Sequence, residues 1–119
     1  MESGQLWVEP SGTMILARIR GVPTEDLLRE CQQRVLQLVK DTGQWKVLYD
    51  ALELEVPNVE PALIQQRLEA ELEPGTRLRR AIVVQNTRVA YHGRLAFGAG
   101  DYRVFYNDFA AAIRWLEEA

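Results

Sequence analysis

The stretch that decides the fold lies between residues 81 and 106 and reads AIVVQNTRVAYHGRLAFGAGDYRVFY. Its first four residues, Ala81–Val84, form a short uninterrupted apolar run, which is typical of a strand covered on both faces. Asn86 or Thr87 then supplies an N-cap for a helix, and the glycine-rich segment after that helix ends it. β-Branched and aromatic residues over 102–106 indicate a second strand. A strand, a helix and a strand in this order predict two parallel strands joined by a right-handed crossover.

The same alternation of strands and helices extends through the rest of the chain. Two short β-favouring runs flank the turn Pro10-Ser11-Gly12 and predict a β-hairpin. Thr24 is a good N-cap, and apolar residues recur after it at helical spacing until Gly43. In chain order, the predicted elements are strands at 5–9 and 13–20, a helix at 24–43, a strand at 45–50, a helix at 59–72, a strand at 81–84, a helix at 87–97, a strand at 102–106 and a helix that Asn107 or Asp108 caps.

This order, β-β-α-β-α-β-α-β-α, predicts an α/β fold. The crossovers imply parallel pairing, while the opening hairpin adds an antiparallel edge. The sequence therefore predicts a single domain over residues 1–119, built as a mixed β-sheet of about five strands with four helices. A chain of this size buries roughly two-thirds of its unfolded surface, so it can hold a hydrophobic core without disulfides.

Several short motifs in the second half of the chain resemble a known family. They are Arg79–Val84, the helix that ends in Leu95-Ala96-Phe97, the strand Tyr102–Tyr106, and the final helix with Ala110-Ala111-Ala112-Ile113 before Trp115 and Leu116. Together with the opening hairpin and the chain length, they are similar to the STAS domains, and most of all to the SpoIIAA-like branch that is described with the CRAL-TRIO fold. The resemblance covers nearly the whole chain in topology. It implies a bacterial, non-enzymatic domain that binds a regulatory partner or a small hydrophobic ligand.

The best-understood members of that family act as phosphorylation switches. Their phosphorylated serine or threonine lies at the start of the helix after the third strand. Residues 50–72 of this chain contain no serine or threonine, and its serines are Ser3 and Ser11, near the N-terminus. We therefore expect the switch mechanism to be absent. Glu53 or Glu55 would place a fixed negative charge nearby, although loop acids are more often simply solvated.

Composition and charge narrow the class of protein. The chain has one cysteine, Cys31, so it cannot form an internal disulfide. No apolar run reaches the roughly 20 residues of a membrane span, and the polar, acidic start does not resemble a signal peptide. These features predict a cytoplasmic protein. The net charge of −3 disfavours a general nucleic-acid binder, although residues 77–103 hold six arginines and one acid and thus carry +5.

The residues that build common catalytic sites are scarce. The single histidine, His92, has no evident nucleophile to activate, and one histidine and one cysteine on different helices give no zinc spacing. The segment Gly98-Ala99-Gly100 precedes a strand, whereas a phosphate-binding loop follows a strand and opens a helix. We therefore predict a non-enzymatic protein with no cofactor and no bound metal.

One position in the chain favours a bound anion. The loop at 85–88 follows a buried strand and opens a helix, so unpaired backbone N–H groups and the positive end of that helix meet there. Open α/β sheets bind ligands outside the carboxyl ends of their strands. The candidate site consists of Asn86, Thr87, Arg88 and His92, with Arg88 as the charged donor. An ordinary helix cap beside a surface arginine is the plainer explanation.

A second group of residues favours contact with another protein, because tryptophan and arginine are enriched at interfaces. The candidates are Trp7 on the edge hairpin, Trp115 beside the apolar stripe of the last helix, Arg79 and Arg80 as a basic rim ahead of the strand at 81–84, and Leu54 in an unstructured acidic and apolar loop. Core packing is the alternative for the apolar residues, and salt bridges with acidic residues of the same chain or of a second subunit are the alternative for the arginines.

Two functions from different classes follow. The first is a regulatory or scaffolding module that binds a protein partner or forms a homodimer. The second is a carrier or sensor of a small amphipathic anion, such as a lipid or an acyl compound. In that case the segment from Leu52 to Val56 would act as a lid and Arg88 would meet the head group. An enzyme is the third option.

Overall fold

The computed structural model describes residues 4–118. Over that range it contains five strands and four helices in the predicted order. They are β1 (Gln5–Ser11), β2 (Met14–Arg20), α1 (Glu25–Thr42), β3 (Lys46–Ala51), α2 (Glu60–Ala70), β4 (Arg79–Val84), α3 (Thr87–Phe97), β5 (Tyr102–Tyr106) and α4 (Phe109–Glu117). The predicted α/β fold with a five-strand mixed sheet and four helices is confirmed.

The strands form a sheet whose spatial order, β1-β2-β3-β4-β5, equals their order in the sequence. β1 and β2 pair antiparallel, and the other three neighbouring pairs are parallel. In the register, Ile15 pairs with Val47, while Ile82 lies between Tyr49 and Val104. The carboxyl ends of β2 to β5 consequently meet along one edge of the sheet. β1 forms the antiparallel outer strand that the hairpin predicts.

The helices cover the two faces of the sheet unequally. α1, α2 and α3 share one face, where Ile15 and Val47 pack against Val35 of α1. α4 lies on the opposite face, where Leu116 packs against Val83 of β4. Successive residues of a strand point to opposite faces, which is why neighbouring strand residues belong to different cores.

α2 approaches α1 and α3 closely but stands farther from the strands. Its buried residues Ile64 and Leu68 pack against Leu28 of α1. On its other side, Gln66 Nε2 donates a hydrogen bond of 2.7 Å to the Leu95 carbonyl of α3. Because α2 rests on its two neighbouring helices, space is left between it and the sheet.

Three helices begin at a side-chain cap, which satisfies a backbone N–H that has no partner within the helix. The caps are Thr24, Asn86 and Asp108, and each side-chain oxygen accepts from the N–H three residues further on, at 3.0 to 3.1 Å. Where the sequence left two choices, the structure therefore selects Asn86 over Thr87 and Asp108 over Asn107.

β4 begins two residues earlier than predicted. Arg79 and Arg80 are residues of this strand, so their predicted position in a basic rim ahead of it is wrong. Arg80 is only 4% exposed. A guanidinium can be buried in this way because the carboxylate of Glu69, on α2, lies against it.

Candidate functional site

Beneath α2, Arg80 and Glu69 form a buried ion pair. Arg80 Nη1 donates to Glu69 Oε2 at 2.9 Å, and Arg80 Nη2 donates to the other carboxylate oxygen. The Phe97 ring centre lies 4.4 Å from the guanidinium carbon. Burial by itself lowers the pKa of Arg80, but the hydrogen bond to Glu69 and the neighbouring Tyr49 outweigh it and the pKa is raised. Arg80, a predicted partner-binding residue, is therefore enclosed by its own chain.

Arg79 and Trp115, which were also predicted to bind a partner, contact each other. The Arg79 guanidinium carbon lies 3.6 Å from the indole centre, and Arg79 Nη2 donates to the Trp115 carbonyl at 3.0 Å. Arg79 Nη1 also donates to Asp101 at 3.2 Å. Trp115 stays partly exposed. The structure thus brings this pair together on the α4 side of the sheet, and its contact with a partner stays a prediction.

The two remaining partner-binding candidates lie elsewhere. Trp7 is 45% exposed on the edge strand β1, with the Arg18 guanidinium 5.1 Å from its ring centre. Leu54 is half-buried, packs against two apolar clusters and forms a parallel bridge with Gly21. The prediction of an unstructured loop around Leu54 is therefore wrong, because the loop adds backbone hydrogen bonds beside the end of β2.

At the carboxyl edge of the sheet, Arg88 fastens this loop to α3. Arg88 Nε donates to the Val56 carbonyl at 2.9 Å, and Nη2 donates to the Pro57 carbonyl at 2.6 Å. Asn86 Oδ1 is occupied by the cap of α3, and Thr87 is exposed beside it. Three of the predicted anion-binding residues therefore lie together, but Arg88 already uses two donors on loop carbonyls. Anion binding at this edge stays a prediction.

His92 lies one turn after Arg88 on α3 and is more enclosed than the other three residues. It is 9% exposed, and its Nδ1 is buried without a hydrogen-bond partner among residues 4–118. Burial, and then the charge of Arg88, lower the pKa of His92 below its ordinary value of 6.5. The imidazole is thus neutral at pH 7. His92 was predicted to join Arg88 in the anion site, and the structure places it one turn further along α3 in a buried position, so its contact with an anion stays a prediction.

The lowered pKa of His92 predicts a pH dependence of stability. As the pH falls, the imidazole of His92 is protonated at a higher pH in the unfolded chain than in the folded protein. We therefore expect the contribution of His92 to the free energy of unfolding to be fully present above about pH 6.5 and to be lost as the pH falls from there to the folded-state pKa. A His92→Leu variant should lose this part of the pH dependence in urea denaturation between about pH 5 and 8. Titration of the imidazole by nuclear magnetic resonance (NMR) gives the folded pKa directly, and a value at or above 6.5 would contradict the prediction.

The loop between β3 and α2 separates two cavities. The outer one, about 500 Å³, opens at the carboxyl edge of the sheet and is bordered by both arginine and glutamate side chains. The inner one, about 90 Å³, lies between the sheet and the three helices of that face, and His92 lines it. Leu54, Val56 and Val89 border both cavities and form the wall between them.

Three exposed apolar side chains lie in the first halves of α2 and α3 or just before α2. Val59, Leu63 and Tyr91 are 43%, 45% and 60% exposed, and we call these three residues the α2–α3 patch. α2 and α3 both return from parallel strands and so run side by side in the same direction. Gln66 and Leu95 join the two helices by a hydrogen bond. Leu63 lies about one helical turn before Gln66, and Tyr91 lies about one turn before Leu95. The two residues are therefore at about the same height along the pair of helices.

Three further findings concern metal ligands, membrane spans and the single cysteine. Between residues 4 and 118, no three His, Cys, Asp or Glu side chains are grouped as metal ligands. In the same part of the chain, no helix is long and apolar enough to cross a membrane. Cys31 is buried, and burial raises the pKa of its thiol to about 12. Such a thiol is a poor nucleophile at neutral pH.

This sheet, with its opening hairpin and four helices, has a SpoIIAA-like fold. Among solved structures, the chain is similar to an anti-sigma factor antagonist from Mycobacterium paratuberculosis, with a TM-score of 0.63, 15% identity, and coverage of 96% of this chain and 94% of that chain. It is also similar to an uncharacterised protein with a SpoIIAA-like fold from Shewanella loihica, with a TM-score of 0.63, 21% identity, and coverage of 98% and 95%. At these identities the likeness establishes the fold, and it confirms the predicted resemblance. No family model and no curated protein matches the sequence.

Proposed function

We propose that this protein is a non-catalytic regulatory module that works by binding another protein. The observation that carries the proposal is the α2–α3 patch, because Val59, Leu63 and Tyr91 are exposed large apolar side chains on or next to two helices that pack side by side. Exposed aromatic and aliphatic side chains grouped together are typical of contact surfaces. One protein with the same fold is described as an anti-sigma factor antagonist, which supports a regulatory role.

The chemistry of the described residues supports the same proposal. His92 has a lowered pKa but is enclosed, and the Cys31 thiol is held protonated by burial. The helix after the third strand starts without a serine or threonine, so regulation by phosphorylation at that position is not expected. Self-association through the same patch, to give a homodimer, is a second form of this proposal.

Paired substitutions test the role of the patch. Tyr91→Ser removes an exposed ring from it, whereas Tyr106→Ser removes a similarly exposed ring, 47% exposed, from β5. We expect the wild-type protein and Tyr106→Ser to retain the same protein in affinity capture, quantified by mass spectrometry, and Tyr91→Ser and Leu63→Ser to lose it. For a homodimer, sedimentation should show the same order of loss. Equal binding by all four proteins, or a monomer that retains no partner, would overturn the proposal.

The carrier of a small amphipathic anion is the alternative, and the outer cavity favours it. That cavity lies beside Arg88 and also borders Arg20, as a head-group site at the carboxyl edge requires. Glu53 and Glu55 border it as well, and Arg88 is engaged by loop carbonyls, so an anion must compete for that guanidinium. Native mass spectrometry of the purified protein separates this alternative from the first proposal. An anionic lipid or acyl compound that stays bound would support the carrier, and its absence would count against it.

A further inference from the structure

β1 is an outer strand of the sheet, and one side of it is open. Within residues 4–118, no backbone hydrogen bond reaches the side of β1 that faces away from β2. An edge strand of seven residues is a template for pairing with another strand, and folded proteins usually block such an edge with charges, a bulge or proline. β1 has a proline only near its end, at Pro10, so most of its length is open to pairing.

The hairpin turn determines which backbone groups of β1 face outward. Gly12 begins a two-residue turn with a positive φ of 62°, as in type II′ turns. Ser11 closes that turn by exchanging both backbone hydrogen bonds with its partner on β2, so Ser11 and every second residue before it bond inward. The N–H and C=O groups of Leu6 and Val8 therefore point away from β2. Pro10 agrees with this, because a proline within a sheet has its missing N–H on the open side.

One register of two antiparallel β1 strands uses all of these outward groups. In it, Trp7 lies opposite Trp7 of a second copy on a twofold axis, and Leu6 lies opposite Val8 of that copy. Leu6 and Val8 then exchange both backbone hydrogen bonds across the axis. A shift towards Pro10 would place this proline opposite Leu6, where its missing N–H leaves a carbonyl without a donor. The opposite shift would pair Val8 with Gly4, which lies outside the strand.

The side chains of β1 suit this register on both faces. On the α4 side, Asp50, Arg18 and Trp7 lie side by side on β3, β2 and β1. The Arg18 guanidinium carbon lies 5.1 Å from the Trp7 ring centre, and Trp7 ends this row, 45% exposed. The register adds the second Trp7 ring at a non-hydrogen-bonded position, where opposite side chains are closest. On the α1 side, Leu6 and Val8 are only partly buried against the core, and the same two residues of the second copy would cover them.

The charges around β1 are also complementary in this register. Glu9 lies opposite Gln5 of the second copy, and the neighbour of Gln5 on β2 is Arg20. Arg18 and Arg20 pair with Glu53, so Glu9 has no ion-pair partner within residues 4–118. The pairing would thus give the Glu9 carboxylate an amide donor, with an arginine one strand further away. No like charges face each other across the axis, which would oppose association.

We propose that two copies of this chain associate through antiparallel β1 strands, with Trp7 on the twofold axis, so that their two sheets form one continuous sheet. Each copy presents the same strand to the other, as a closed twofold dimer requires. This surface is separate from the α2–α3 patch, because α3 packs on β4 and β5 at the other end of the sheet. The proposal therefore does not depend on the function proposed above, and the patch stays open on both copies.

Sedimentation of the full chain from micromolar to millimolar concentrations tests the association. We expect a wild-type dimer at the upper end, and a dissociation constant that rises by at least about tenfold in Val8→Pro and in Trp7→Ala. Val8→Pro removes an N–H that faces outward and leaves the hydrogen bonds to β2 in place. Tyr106→Ser is the matched control, because Tyr106 is 47% exposed on β5, the opposite edge strand. This variant should form the dimer as the wild type does.

Cysteine cross-linking tests the register. In Trp7→Cys, the two introduced residues face each other with about 4.5 Å between their Cα atoms, within the range of a disulfide. In Glu9→Cys, they are offset by four residues along the strands, or about 13 Å, and cannot be joined. The native Cys31 is buried and so does not compete. We expect mild oxidation to yield a covalent dimer of Trp7→Cys and none of Glu9→Cys.

The proposal is overturned by a wild-type protein that stays monomeric at millimolar concentration, or by a dimer that Val8→Pro and Trp7→Ala leave unchanged. Cross-linking of Glu9→Cys as fast as that of Trp7→Cys contradicts the register. A dimer that is lost in Tyr91→Ser but kept in Trp7→Ala also overturns the proposal while supporting the α2–α3 patch, so the two proposals fail separately. If Val8→Pro does not fold, Trp7→Ala and the two cysteine variants decide.

Discussion

Glu69→Ala is expected to lower the free energy of unfolding by about 3–5 kcal/mol, because it leaves the Arg80 guanidinium buried without a counter-charge. The Arg80 side chain is 5% exposed and that of Glu69 is 16% exposed. The guanidinium also stacks on Phe97 at 4.4 Å, so it cannot reach water without disturbing the helix that contributes this ring. Removal of the carboxylate therefore affects β4, α2 and α3 together.

Two further variants separate the loss of the ion pair from other effects. In the double variant Glu69→Leu with Arg80→Met, the buried charge is gone, and stability should return to within about 1 kcal/mol of the wild type. Glu71→Ala is the matched control, because Glu71 is 54% exposed at the end of the same helix and pairs with Arg29 on the surface. Its removal should cost less than about 1 kcal/mol. Urea denaturation followed by circular dichroism measures all three, and equal losses for Glu69→Ala and Glu71→Ala would refute the prediction.

Leu116→Ala is expected to lower the free energy of unfolding by about 2–5 kcal/mol, because it opens a cavity between α4 and the sheet. Leu116 has no exposed surface and packs in one cluster with Val83 and Ala112. α4 is a short helix of nine residues, so a single large side chain provides much of its contact with β3 and β4. Loss of that side chain should loosen the whole helix.

Leu63→Ala supplies the control for this substitution. The same atoms are removed from a helix, but Leu63 is 45% exposed in the α2–α3 patch, and surface changes of this kind usually stay within about 0.5 kcal/mol. Hydrogen exchange should further show faster exchange for the amides of α4 in Leu116→Ala than in Leu63→Ala. If the two variants unfold at the same urea concentration, α4 does not depend on the Leu116 contact.

Patterns among neighbouring residues were sufficient to predict the helices and strands and their order. The apolar run at Ala81–Val84 and the cap at Asn86 depend on residues close in sequence, and the structure has a buried strand and a capped helix there. The same holds for Thr24 and α1. In each case the spacing of apolar residues and the chemistry of one cap decide the local structure, without reference to distant parts of the chain.

The site depended on contacts that no local pattern carries. Burial of Arg80 requires Glu69, which arrives from a different helix, so a strand-edge arginine looked like a surface residue in the sequence. His92 was assigned to the anion site with Arg88, whereas it lines the inner cavity, which depends on how α2 packs on α1 and α3. The exposure of Leu63 could have been predicted from the sequence, because Ile64 and Leu68 form the inward stripe of α2 and Leu63 then points outward.

The agreement between the order of the strands in the sheet and their order along the chain has a kinetic consequence. Each parallel strand pairs with the strand synthesised just before it. Every crossover therefore closes a loop of modest length, and no strand pairs with a partner that is distant in sequence. The entropy lost in loop closure is then spread over several small steps. The sheet can therefore grow by one strand at a time while the polypeptide is being made.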